Sequence, residues 1–147
     1  MDIFLCCLGT RVKVGEALFI KVDYEYPLNF ANLAKSLGVK HYGLLSSTGS
    51  DQRSMFLYMR TKGRVEAACK EVGLQQLTIY RPGLLMHRRN DKRIAETIFS
   101  YVPGITKIES ADMGKAMIEH AVHVVRLPEE VRQQQKLHDL NNNQIIA

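Results

Sequence analysis

The 147-residue chain has no tryptophan, only three cysteines and four prolines, and no long apolar run. The cysteines are Cys6, Cys7 and Cys69, an odd number with two adjacent, which excludes a disulfide framework. None falls in a Cys-x-x-Cys or Cys/His ligand pattern, so no metal site is assigned. Reduced thiols point to a cytoplasmic location, with the nucleus as a second setting. The short apolar run in MDIFLCCLGT carries Asp2 and no basic flank. It is too short to cross a bilayer and has the wrong surroundings for a signal peptide. No aromatic platform accompanies the basic stretch His87 to Arg93, which argues against nucleic acid as a partner. There is no internal repeat and no low-complexity linker.

What is present is ordinary for one globular domain: 46% hydrophobic residues, 24% charged and a net charge of +5. A diffuse positive balance favours anionic ligands without identifying one. Ile3 to Leu8 is a continuous apolar run closed by Gly9 and Thr10, the pattern of a strand buried on both faces. A helix is predicted from about Ala17 to Leu37, with Val22, Tyr26, Phe30, Leu33, Ala34 and Leu37 as its apolar face. Pro27 should kink or divide it. A second strand, VKHYGLLSS, ends in two serines, and Ser54 is placed to cap a helix from about Met55 to Glu71. Gln76 to Tyr80 reads as a third strand, closed by Arg81-Pro82-Gly83. Strands alternating with helices predict an α/β fold with a parallel sheet. Beyond this, a short helix is expected through Ile94 to Tyr101, and another over ADMGKAMIEHAVHVV. The tail from Pro128 is polar, and its end is expected to be frayed.

Tyr58 and Lys62 lie four residues apart on the predicted second helix and therefore share a face. A phenol has a pKa near 10, too high for easy proton exchange at neutral pH, and an adjacent ammonium lowers it. A serine hydroxyl beside them could hold a carbonyl against the phenol, giving an acid/base set suited to hydride transfer. The pair alone is weak evidence, because tyrosine and lysine meet at this spacing by chance on many solvated helix faces. The order of elements strengthens it. The serines end one strand, the pair follows on the next helix, and Arg-Pro-Gly ends the strand after that. In parallel α/β sheets these strand ends form the ligand-binding rim.

Together, CCLGT, LLSSTGSD, FLYMRTKGRVE and IYRPGLL resemble the atypical short-chain dehydrogenases/reductases, most closely the Tat-interacting-protein oxidoreductase branch. The resemblance is good over residues Asp2 to Arg93 and looser beyond. It implies the NAD(P)-binding Rossmann fold, of which this chain resembles the part from the fourth strand on. It also implies roles for individual residues. Tyr58 would be the proton donor or acceptor, Lys62 would hold the nicotinamide ribose, and Ser47 would orient the substrate, with Ser46 as second choice. Leu8 and Gly9 would line the cofactor cleft, Leu85 would contact its nicotinamide end, and Arg93 would reach it from the basic loop.

The family's glycine-rich turn, Gly-x-x-Gly-x-x-Gly, does not occur in the chain. That turn anchors the pyrophosphate at a helix N-terminus. Its absence leads to three expectations: a single incomplete domain, an unpaired apolar edge on the first strand, and weak or absent NADP binding. Residues 1–86 are read as a β-α-β-α-β core and 87–147 as substrate-side helices and tail. The resemblance implies an oxidoreductase that moves hydride between NADP(H) and a carbonyl or alcohol. The alternative is a non-catalytic regulatory protein that binds transcription or nuclear-transport partners. A homodimer is implied for the oxidoreductase by the same resemblance.

Overall fold

The computed structural model describes residues 2–86, 107–141 and 144–145. The expected contributions of His87 to Arg93, Arg93 among them, and the helix expected over Ile94 to Tyr101 lie outside the described residues. A sheet of four parallel strands forms the centre, in the order β1 (Ile3–Cys6), β2 (His41–Leu45), β3 (Leu77–Arg81), β6 (Leu137–Asn141). A separate parallel pair joins β4 (Leu84–Met86) to β5 (Lys107–Glu109). Helices α1 (Glu16–Ile20), α2 (Tyr26–Ser36) and α3 (Leu57–Glu71) precede β2 or β3, and α4 (Ser110–Arg126) and α5 (Glu129–Gln134) precede β6. The expected α/β architecture is present.

The strand period of two divides the core into layers. Tyr42, Leu44, Leu77 and Ile79 face one way and pack with Ala31, Ala34, Val65 and Cys69 from α2 and α3. Tyr80 and Leu45 belong to the other cluster, packing with Met113 and Met117 of α4. Gly43 of β2 is required by close packing, since a Cβ there would lie 2.6 Å from Leu5 and 3.0 Å from Tyr80.

The helix expected from Ala17 to Leu37 is one axis in three parts. Between α1 and α2, Lys21–Glu25 forms a π turn in which the Tyr26 N–H reaches back to the Lys21 carbonyl. Pro27 follows directly, so the predicted disturbance occurs as a widened turn. The buried side matches the predicted one only at Ala34, with Val22 half-buried. Phe19, Asp23, Pro27, Ala31 and Ala34 face inward, while Tyr26, Phe30, Leu33 and Leu37 are exposed. Positions four apart drift by roughly 40° per step on a regular helix. The wider π turn absorbs that drift and keeps Phe19, Asp23 and Pro27 aligned. Two alanines then let α2 approach the sheet more closely than leucine and phenylalanine would. The first strand also differs from expectation: only Cys6 is buried, and Ile3, Phe4 and Leu5 are half-buried. Among the described residues, no strand pairs with its outer edge.

The polar tail, for which no element was predicted, supplies α5 and β6 ahead of its end. LHDLN alternates, with His138 and Leu140 half-buried and their neighbours exposed. Its polar composition fits an edge strand. Asp139 on its other side meets Lys70 at 3.2 Å and Arg81 at 3.5 Å.

Three histidines meet between the sheet and α4. The ring centroids of His41 and His120 are 6.2 Å apart, and those of His120 and His138 are 5.5 Å apart. His41 donates to or accepts from Thr78 Oγ1 at 2.9 Å, and His120 Nδ1 meets the Tyr80 hydroxyl at 3.0 Å. His41 Nδ1 and His138 Nε2 are buried without a hydrogen-bond partner. Among the described residues, no group of three or more His, Cys, Asp or Glu side chains is placed to hold a metal ion. Burial, reinforced by the neighbouring histidines, pushes His41 down to about 3 and His120 down to about 4.

Two predictions follow from this packing. The unfolded chain takes up protons at these histidines near pH 6.5, whereas the folded chain resists until about 4. Stability is therefore present above 6.5 and lost as pH falls below it, by up to about 1.4 kcal/mol per pH unit per histidine. Urea midpoints measured from pH 7 to pH 4.5 should fall, and His120→Gln should flatten the decline. Separately, a Cβ on Gly63 of α3 would lie 2.2 Å from Gln52 N and 2.4 Å from Asp51 C, both backbone atoms. Gly63→Ala should destabilise by roughly 1–3 kcal/mol in denaturant titration, despite the better helix propensity of alanine.

Candidate active site at the carboxyl ends of the strands

Helix α3 presents Tyr58, Lys62 and Glu66 at four-residue intervals, and each has a different partner. The Tyr58 ring is half-buried and packs against Phe19 of α1, centroid to centroid 6.0 Å. Lys62 is buried. Its Nζ lies 2.9 Å from Asp23 Oδ1, with the two side chains 6% and 1% exposed. Those values decide the character of the contact: it is an ion pair withdrawn from water. The other Asp23 oxygen, Oδ2, accepts the Thr10 N–H at 2.7 Å. Oδ1 takes no hydrogen bond in addition to its ionic contact. Gly9 stands over the pair. A Cβ there would come within 3.3 Å of Asp23 Oδ1 and 3.8 Å of Lys62 Nζ.

Glu66 is also buried and binds Arg81, whose Nε and Nη2 reach its two carboxylate oxygens at 2.6 to 3.1 Å. The fork-shaped guanidinium suits a carboxylate in this way. Hydrogen bonding to Glu66 raises the Arg81 pKa further above its ordinary value. Ser46 Oγ donates to Glu66 Oε1 as well. The two serines thereby separate. Ser46 is part of the carboxylate network, whereas the Oγ of the buried Ser47, among the described residues, contacts the Thr48 carbonyl alone, at 3.3 Å.

The loop after β2 is held in place by backbone bonds. Thr48 N donates to Pro82 O at 2.9 Å, Thr48 Oγ1 donates to Arg81 O at 3.0 Å, and Asp51 N donates to Met59 O at 3.2 Å. The Ser54 hydroxyl accepts the Phe56 N–H at 3.2 Å, and α3 begins at Leu57, two residues later than predicted. These bonds place the serine-bearing loop against both the Arg81-Pro82 strand end and the first turn of α3.

The other residues named from the sequence fall around this rim. Leu8 and Gly9 are exposed directly after β1. Leu85 lines an apolar hollow on the α4 side of the sheet. Arg93 lies outside the described residues. Sequence reasoning missed Asp23 altogether. Its signal is an acidic residue four after Phe19 and four before Pro27, outside the predicted apolar face.

A cofactor site can be tested against these residues. The Lys62 ammonium carries three donors, and Asp23 occupies one. Among the described residues no other partner takes the remaining two donors. Gly9 leaves room beside the pair that any side chain would take. The donor set therefore fits a sugar with adjacent hydroxyls.

No family model matches the chain. Among curated proteins, protein HTATIP2 of Rattus norvegicus is 47% identical over 96 residues, covering 65% of this chain and 40% of that protein. Protein FMP52, mitochondrial, of Candida albicans is 36% identical over 133 residues, covering 82% of this chain and 58% of that protein. The chain thus spans about half the length of the curated relatives it matches. Solved structures share the fold at low identity. A Bacillus halodurans chain described as an NAD-dependent epimerase/dehydratase superposes with a TM-score of 0.66 at 22% identity, over 96% of this chain and 63% of that one. A UDP-galactose 4-epimerase gives 0.63 at 13% identity, over 95% and 55%. The cytoplasmic or nuclear location expected from the thiols does not stand, because the fungal relatives are named as mitochondrial proteins. Relatives and fold agree on lineage: the chain is a homologue of protein HTATIP2 with the fold of NAD-dependent epimerase/dehydratase structures, which supports the resemblance to the atypical short-chain dehydrogenases/reductases in their HTATIP2-like branch.

Proposed function

We propose that the chain carries the acid/base half of an NADP(H)-dependent oxidoreductase acting on a carbonyl or alcohol. The observation that carries this reading is the buried Lys62–Asp23 pair one helical turn from Tyr58. A lysine drawn out of water is costly to maintain unless it has a task or a partner. Here it has a partner and keeps donors to spare.

NADP(H), when bound, supplies or accepts the hydride. In the reducing direction Tyr58 gives its proton to the carbonyl oxygen as negative charge develops there. Lys62 holds the ribose and stabilises the phenolate that remains. Asp23 fixes the ammonium, and Ser47, left out of the Glu66 network, donates its hydroxyl to the same carbonyl oxygen. Ser46 is assigned a structural role. Leu8, Gly9 and Leu85 would border the cofactor. Without a glycine-rich turn in the chain to hold the pyrophosphate, binding is proposed to be weak.

A second reading is a non-catalytic interaction protein with the same fold. The feature favouring it is the exposed apolar line Leu18, Tyr26, Phe30, Leu33 and Leu37 along α1 and α2. The same line would serve a homodimer.

Titration of the purified chain with NADPH tests the weak binding: the dissociation constant should be far above micromolar, and micromolar affinity would overturn that part of the reading. Carbonyl reduction at saturating NADPH should fall at least about a hundredfold in Tyr58→Phe, as for the loss of a general acid. A cellular effect that survives Tyr58→Phe would establish the second reading instead. Asp23→Ala leaves the Lys62 charge buried alone and should cost roughly 3–5 kcal/mol in chemical denaturation. Asp23→Ala combined with Lys62→Met should recover a large part of that loss.

A further inference from the structure

Gly114 lies in the first half of α4, where a glycine weakens the helix relative to alanine. Two common reasons for a glycine do not apply. Its φ is not among the positive values, which belong to Gly15, Gly38, Gly49 and Gly73. Nor, among the described residues, does another group press against it, since a Cβ built there meets nothing within 4 Å. This contrasts with Gly63, whose missing side chain is replaced by the backbone of the loop. What Gly114 keeps is empty space.

That space is a half-open cavity of about 150 Å³ bordered by Cys7, Leu45, Leu85, Met113, Gly114 and Met117, with Ser110 at its margin. A cavity of about this size with an apolar lining takes a single aromatic ring. Three of the bordering side chains carry sulfur, which is polarisable and makes favourable contacts with aromatic edges. Methionine also adapts its shape to what it covers. The cavity opens at the rim already described. Cys7 precedes Leu8, Leu45 precedes the serine pair, and Leu85 follows Pro82-Gly83.

We infer that this cavity is a binding site for an uncharged, ring-sized apolar group, the portion of a carbonyl substrate farthest from its reacting carbon. Its assignment to a substrate rests on the oxidoreductase reading; the affinity for a neutral aromatic ring does not. An acidic or phosphorylated group is unsuited to it, because no cationic side chain lines it among the described residues.

The chain labelled at its methionine methyl groups is titrated with acetophenone, a neutral aromatic ketone, and followed by NMR. The methyls of Met113 and Met117 should shift saturably, while that of the exposed Met55 stays unchanged. Gly114→Leu projects a side chain into the space and should weaken acetophenone at least tenfold, with the circular dichroism and remaining methyl signals preserved. Equal shifts at all methionines, or undiminished affinity in Gly114→Leu, would overturn the site. Adding NADPH separates the two possible rings. If it displaces acetophenone and shifts the same methyls, the cavity is a nicotinamide pocket and the substrate assignment fails. If acetophenone binds at Met113 and Met117 but is never reduced, the cavity stands and the hydride-transfer reading falls.

Discussion

The ion pair between Lys62 and Asp23 sets the arrangement of everything at the carboxyl end of the sheet. Two opposite charges, 6% and 1% exposed, must be kept together because either alone would be intolerable there. Several local features of the chain serve that requirement. The π turn carries Asp23 to the inner side of its helix. Gly9 admits the pair beneath the loop after β1, and the Thr10 N–H occupies the second carboxylate oxygen. Phe19, one turn earlier on the same side, packs against Tyr58. The phenol and the ammonium are thus each secured by α1 and its π turn.

A second polar network, centred on Glu66, acts across the sheet. It joins α3 to the end of β3 through Arg81, and Arg81 continues to Asp139 on β6. The same glutamate takes Ser46 and leaves its neighbour Ser47 outside. One buried carboxylate therefore does two things: it braces three elements and distinguishes two adjacent hydroxyls that are chemically identical. The face of the rim toward α3 is polar and ionic, and the face toward α4 is apolar and rich in sulfur. Such a division suits a ligand with a polar reacting end and a greasy remainder.

Much of the architecture was legible in the chain itself. The alternation of apolar runs and helical patterns gave the parallel sheet, and the strand-end motifs located the rim. The inner face of the α1–α2 axis was misread for a physical reason. Large side chains such as Phe30, Leu33 and Leu37 dominate a periodicity argument, yet the small Ala31, which was missed, and Ala34, which was included, are the ones buried. Asp23 was hidden because charge at a buried position has no pattern of its own; only the coordinates bring Lys62 to it. The strand β6 was missed because Leu137, His138 and Asp139 alternate over too few residues and are too polar to look like a sheet member. Its pairing with β3 depends on partners far away in the chain.

That distance has a kinetic meaning. β1 aligns Ile3 with His41, and β2 aligns Tyr42 with Leu77, but β3 must find Leu137 for its own Leu77. The third pairing closes the longest loop, and loop closure grows more expensive in entropy with length. A sheet assembled in this manner gains its last strand late, after the first three have collapsed together. Until then the carboxylate of Asp139 has no cations to meet, and the edge-to-face cluster of imidazoles lacks its third ring.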